Sequence, residues 1–222
     1  MEKTIEVELK FEVGDDTLIK TFLASLTKQS QSDEEDIYYD SKDGFLFQRG
    51  IFIRIRNNSR LDFNFNEEMI NANVQKDHMH CSEHTFPIPL EMKDLQSLNE
   101  TLSFLSLDNL KDISWPMLQA QNNWKPLAVI KKNRTVYTDG TFLYMYDEIE
   151  KIGTFLEVEA HTTDSGKVPL IEQAIQNALT YLPLAYINTG YCELYLRKTR
   201  PELYKKGKYL LESDKNDMYL DQ

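Results

Sequence analysis

Between Ile5 and Val13 the chain alternates without a break. Ile5, Val7, Leu9, Phe11 and Val13 are apolar, and Glu6, Glu8, Lys10 and Glu12 fill the positions between them. A period of two is that of a β-strand with one dry face and one charged face. Side chains at i and i+2 share a face about 6.6 Å apart along such a strand, so the charges point together. Pairs of one sign recur at this spacing: Arg54 and Arg56, Lys132 and Arg134, Glu157 and Glu159, with Asp147 ten residues before the last. A chain built this way folds into a sheet that must find a use for a face of sorted charges.

Two readings of that face stand side by side. In the first it is wet, and opposite charges on neighbouring strands support each other by about 0.2–1 kcal/mol per pair. In the second the sheet curls until the charges line a concave surface, where an unpartnered charge is costly. Sorting the signs by strand favours the second. Carboxylates from different strands suit Mg²⁺ or Mn²⁺, hard cations that take oxygen ligands, and Arg and Lys suit phosphate oxygens. A chain of phosphates with a divalent metal answers both rows.

The remaining pattern places these strands. Asp15 or Asp16 caps a helix whose Leu18, Ile19, Phe22, Leu23 and Leu26 fall on one side. The polar run from Gln29 to Glu35 reads as a loop. Strands follow at 36–40, 50–56 and 60–66, with Asn57-Asn58-Ser59 as a turn. Residues 67–81 read as a mobile loop before a strand near Glu83 to Pro89, and Leu95, Leu98, Leu102 and Leu105 mark a second helix. Strands return at 127–137, 142–148 and 154–161, with Asp139-Gly140 turning the first hairpin. A helix at 167–182, a last strand at 192–197 and a terminal helix opened by Pro201 complete about eight strands and three or four helices, read as one domain over 1–222.

Composition removes other classes. The chain has 222 residues, is 41% hydrophobic and carries a formal charge of −11. It has enough apolar residues for a core, and its net charge argues against nucleic acid or anionic lipid as the main partner. No apolar run reaches the ~20 residues of a membrane span, and the first ten residues do not resemble a signal peptide. Cys81 and Cys192 form neither a disulfide framework nor a Cys-x-x-Cys site. These features lead to the expectation of a cytoplasmic protein, a monomer by default. His78, His80 and His84 follow a spacing that zinc sites use, yet a hard-metal phosphate site needs no imidazole. Trp115 and Trp124 read as packing residues.

The motifs are similar to those of a known family. Glu6-Val-Glu8-Leu-Lys10 resembles the E-x-E-x-K signature of the CYTH superfamily, the triphosphate tunnel metalloenzymes. Tyr38-Tyr39-Asp40, Arg54-Ile-Arg56, Lys132-Asn-Arg134 and the block from Asp147 through Gly153-Thr-Phe155 to Glu157-Val-Glu159 resemble its later motifs in order. The ending from Tyr195 to Tyr204 resembles the tail of animal thiamine triphosphatases.

The resemblance implies an α+β fold, an antiparallel eight-stranded β-barrel tunnel, closed or nearly closed, with flanking helices. It implies metal ligation by Glu6, Glu8, Asp147, Glu157 and Glu159, and substrate binding by Lys10, Arg54, Arg56, Lys132 and Arg134. Lys10 and Tyr38 fall where the family activates the attacking water. Two departures stand out: Phe63-Asn64-Phe65-Asn66 lacks a lysine that many members carry, for which Lys76 is a candidate replacement, and Phe52 stands where the thiamine enzymes have tryptophan. The implied activity is metal-dependent hydrolysis of the terminal phosphate of tripolyphosphate, thiamine triphosphate or a nucleoside triphosphate, with Mg²⁺ or Mn²⁺. The alternatives are adenylate cyclisation in the same tunnel and a polyphosphate-binding module without turnover.

Overall fold

The computed structural model describes residues 5–72 and 81–215. Along the chain come β1 (Ile5–Val13), α1 (Asp16–Leu23), β2 (Thr27–Asp40), α2 (Phe45–Gln48), β3 (Ile51–Arg56), β4 (Arg60–Phe65), α3 (Glu67–Ala72) and β5 (Ser82–Pro87). There follow α4 (Leu95–Phe104), α5 (Trp115–Gln121), β6 (Lys125–Thr138), β7 (Leu143–Ile149), β8 (Gly153–Thr162), α6 (Val168–Leu179), β9 (Leu184–Ile187), α7 (Tyr191–Thr199) and α8 (Pro201–Tyr204). The expected α+β class with an antiparallel sheet is borne out. Among the described residues the sheet has nine strands rather than eight, in the order β5-β4-β3-β2-β6-β7-β8-β1-β9, and its hydrogen bonds do not close it. No helix of the described residues is long and apolar enough to cross a membrane.

The chain divides into two compact units, Met1–Glu34 with Lys131–Asn188 and Glu35–Ile130 with Thr189–Gln222. In the first, the dry face of the opening alternation becomes core: Val7, Leu9 and Phe11 of β1 are buried with Tyr144 and Tyr146 of β7 and Leu156 and Val158 of β8. Helix α1 starts where Asp15 accepts hydrogen bonds from the Thr17 and Leu18 amides at 2.9 and 3.4 Å, and it buries Ile19 and Leu23. Helix α6 packs on β1 and β8 and buries Ile175 and Leu179. Each such side chain removed from water contributes about 1.5–3 kcal/mol. The charged alternation is thereby left on the other face.

In the second unit, Ile51, Ile53 and Ile55 of β3 join Leu61, Phe63 and Phe65 of β4, Phe86 of β5 and Leu98 and Leu102 of α4 in one cluster. Trp124 belongs to it, and Trp115 packs edge-on to Tyr39 at 4.8 Å, so both tryptophans are packing residues as expected. The β3–β4 turn falls on Asn57 and Asn58, at φ 50° and 49°, left-handed values that asparagine tolerates.

Four segments depart from the sequence reading. The run 29–35 lies inside β2, whose residues 27–33 are all exposed, so no apolar alternation marks the strand. Residues 67–72 form α3, started by Asn66, whose side chain accepts from the Met69 amide at 2.9 Å. The segment read as a last strand at 192–197 is helix α7, which buries Tyr191, Cys192, Glu193 and Leu196, and the final strand is the four-residue β9. The terminal helix opened by Pro201 stops at Tyr204. Lys76, His78 and His80 lie outside the described residues.

Candidate functional site

The charged face of the first unit is assembled by strand register. Across β1 and β8 the rungs are Glu6 with His161, Glu8 with Glu159 and Lys10 with Glu157. Next come Glu157 with Met145 and Phe155 with Asp147 across β8 and β7, then Asp147 with Arg134 across β7 and β6. Partners on a rung share a face, so Glu6, Glu8, Lys10, Arg134, Asp147, Glu157 and Glu159 all point the same way. Lys132, two residues before Arg134, joins them.

Their side chains alternate in sign. Lys132 Nζ lies 3.1 Å from Glu34 Oε2 and 3.7 Å from Asp147 Oδ2. Arg134 Nε donates to Asp147 Oδ1 at 2.7 Å, and its Nη2 bridges Asp147 and Glu157. Lys10 Nζ follows at 3.0 Å from Glu157 Oε1 and 3.6 Å from Glu8 Oε1. Lys132, Asp147 and Glu157 are buried, Asp147 completely. Glu34 was not legible as part of this face, because its segment carries no apolar period.

Charge balance differs along the face. Burial opposes ionisation of Glu157, but Lys10, Arg134 and Lys132 overcome it and hold its carboxyl well below the usual range. Burial also opposes the charge on Lys10, and Glu157 and Glu8 more than restore it, so its ammonium is held above the usual lysine value. Glu8 goes the other way: burial first and the Glu157 charge second push it up to about 7. Burial likewise raises Glu159. Carboxylate is therefore in excess where β1 meets β8.

That end gathers side chains of the kind that could hold a divalent cation. One donor atom each from Glu6, Glu159 and His161 lie within 4.8 Å of one another, with His161 Nε2 3.0 Å from Glu159 Oε1. The oxygen-rich set and the unfavourable Glu8–Glu159 rung fit a hard divalent ion. His161 extends the row because it stands two residues beyond Glu159 and opposite Glu6.

The second unit carries its own charged face. Arg56 grips Asp36 through Nε and Nη2 at 2.7 and 2.8 Å. Arg54 grips Asp62 Oδ2 through Nε and Nη2 at 3.1 and 2.7 Å, and its Nη2 also donates to Glu83 at 2.8 Å. Asp36 and Asp62 are buried. Tyr38 stands opposite Arg54 on β2, and burial pushes its hydroxyl above the usual tyrosine value, so it keeps its proton. Phe52 is 5% exposed and packs against the rings of Tyr38, Phe47 and Tyr209. Asn64 lies on the same face, opposite Phe52 and Glu83. His84 stacks on Phe65 at 5.0 Å and approaches Thr101 Oγ1 at 3.2 Å, a packed position.

Solved structures share this fold. PH1012 of Pyrococcus horikoshii OT3 aligns with a TM-score of 0.55 at 18% identity, covering 85% of this chain and 98% of its own. PH1819 of the same organism aligns at 0.56 and 19% identity, covering 87% and 99%. HpAC1 of Hippeastrum, named for adenylyl cyclase and described as having a dominant triphosphatase activity, aligns at 0.52 and 17% identity, covering 92% and 97%. At these identities the likeness is one of fold. No curated protein matches the chain. The family pattern described as CYTH domain matches residues 4–189, the span that holds both charged faces, and the chain belongs to the CYTH family.

Proposed function

We propose that the protein is a metal-dependent triphosphate hydrolase that releases the terminal phosphate of tripolyphosphate, thiamine triphosphate or a nucleoside triphosphate. The observation that carries this reading is the alternating run Glu34–Lys132–Asp147–Arg134–Glu157–Lys10–Glu8, buried at its middle and partly exposed at its ends, which ends in surplus carboxylate. A face of cations for phosphate beside carboxylates for a cation is what a metal–triphosphate complex requires.

Glu6, Glu8 and Glu159 would hold Mg²⁺ or Mn²⁺, with Asp147 and Glu157 completing the acidic set. When bound, the ion neutralises phosphate charge and orients the reacting oxygens. Lys132 and Arg134 bind phosphate oxygens, positioned beforehand by Glu34, Asp147 and Glu157. Arg54 and Arg56 carry the same proposed role on the second unit, held by Asp62 and Asp36. Lys10 keeps its charge, so it acts as a hydrogen-bond donor to phosphate or to the attacking water. Tyr38 keeps its proton and serves as a donor too. Catalysis is then mainly electrostatic, by donors fixed before the substrate arrives.

The name of HpAC1 brings a second reading, cyclisation of a nucleoside triphosphate, whereas its dominant triphosphatase activity accords with the first. Incubation with tripolyphosphate, thiamine triphosphate and ATP, each with Mg²⁺ and with Mn²⁺, separates the two. Orthophosphate supports the hydrolase. Cyclic nucleotide with pyrophosphate supports the cyclase, and binding without any product supports a sequestering module.

A further inference from the structure

Arg60 belongs to none of the roles assigned so far, yet it shares a face and a partner with Arg54. Its Nε lies 2.9 Å from Asp62 Oδ1, and its Nη2 lies 3.7 Å from the same Glu83 Oε1 that Arg54 Nη2 approaches at 2.8 Å. One carboxylate oxygen thus sits between two guanidinium groups on adjacent strands. We propose that Arg54 and Arg60 form a seat for one phosphate group and that Glu83 occupies this seat as an internal placeholder, leaving when phosphate binds. The proposal rests on the triphosphate reading above and deepens it.

Burial separates the fixed partners from the exchangeable one. Around Arg54 the side chain of Asp62 is 0% exposed and that of Asp36 is 4% exposed, whereas Glu83 is 43% exposed. Withdrawing a buried carboxylate from an arginine strands both charges, so Asp36 and Asp62 stay in place. An exposed ion pair contributes little, so Glu83 can turn into solvent at small cost. Asp62 also accepts from Thr85 Oγ1 at 3.0 Å, which fixes it as the floor under both arginines. Phosphate brings more charge than a carboxylate and several oxygens to share between two planar forks, so it displaces Glu83. The competing account is an ordinary surface ion-pair lattice, in which Glu83 is only one more link.

Calorimetric titration of tripolyphosphate into the metal-free protein of residues 1–222 tells these apart. Glu83→Gln is expected to bind about threefold to tenfold more tightly than wild type, and Arg60→Gln to bind more weakly by a similar factor. The gain from Glu83→Gln should vanish in the Glu83→Gln/Arg60→Gln double variant. Glu91→Gln removes an exposed carboxylate of the same unit and should leave the affinity unchanged, which controls for net charge. Circular dichroism checks that each variant is folded. Unchanged or weaker binding by Glu83→Gln overturns the proposal, as does an equal gain from Glu91→Gln. Absence of binding by every variant overturns this proposal, and the triphosphate reading then falls only if none of the three triphosphates yields product with Mg²⁺ or Mn²⁺. A protein that shows the expected affinity pattern but hydrolyses nothing keeps the seat and refutes only the hydrolase.

Discussion

Glu8 and Glu159 stand directly opposite each other across β1 and β8. Like charges on one rung repel, and Lys10, 3.6 Å from Glu8, together with Arg134 partly offsets them on the Glu8 side. The pair marks where the face passes from balanced charge to surplus carboxylate.

Burial of Glu8, with the Glu157 charge beside it, sets a pH dependence. Glu8 is pushed up to about 7 against an ordinary 4.5 by burial first and by the Glu157 charge second, with Glu6 and Lys10 on its own strand and Arg134 on β6 also acting on it, and Glu159 stands opposite it on β8. Between these values the native protein holds a proton that the unfolded chain has released. The Glu8 contribution to stability therefore falls as pH rises through this window and levels off above it. In metal-free buffer, urea denaturation should find Glu8→Gln more stable than wild type at pH 8, with the difference shrinking toward pH 4.5. Equal stability at pH 8 contradicts the assignment.

Divalent metal should relieve the same repulsion. Mg²⁺ or Mn²⁺ at one hundred times its Kd should stabilise wild type by about 2.7 kcal/mol, seen as a higher melting temperature. Glu159→Gln and Glu6→Gln should lose most of that increment while staying folded. If they keep it, the metal lies elsewhere.

Arginine at 134 is not replaceable by lysine. Its guanidinium joins Asp147, which is 0% exposed, to Glu157. An ammonium cannot reproduce both contacts. Arg134→Lys should lose about 2–4 kcal/mol in urea denaturation, within the range for disturbed buried pairs, and at least tenfold in kcat/KM. Near-wild-type values for both would remove Arg134 from the centre of the account.

Asp40 provides a contrast outside the proposed chemistry. Its carboxylate accepts from the Ser41, Leu46 and Phe47 amides at 2.6, 3.0 and 2.8 Å and holds α2 in place. Asp40→Ala should lower stability by about 2–3 kcal/mol, since buried donors lose their partner. The stabilisation by Mg²⁺ should be the same as in wild type.

How far the sequence showed all this depends on which face of each strand is dry. Strand β1 was legible because Val7, Leu9 and Phe11 are buried while Glu6, Glu8 and Lys10 share the other side, so period and chemistry agree. The Arg54–Arg56 and Glu157–Glu159 pairs followed for the same reason. Glu34 was hidden because β2 begins with residues exposed on both faces, where no apolar period marks the strand. Asp36 and Asp62 were hidden differently: a buried carboxylate has no sequence mark until its arginine is placed across the rung. Helix α7 misled because Cys192, Leu194 and Leu196 imitate alternation, whereas burial of Tyr191, Cys192 and Leu196 follows the helical turn. Strand β9 has four residues, too few for a period to show.

Phosphorus NMR of tripolyphosphate incubated with the protein and Mg²⁺ addresses the central claim most directly. The account predicts growth of orthophosphate and pyrophosphate signals together, dependent on the metal and absent with Glu159→Gln. Spectra that stay those of intact tripolyphosphate, thiamine triphosphate and ATP in turn, with folded wild-type protein and with either Mg²⁺ or Mn²⁺, would contradict it.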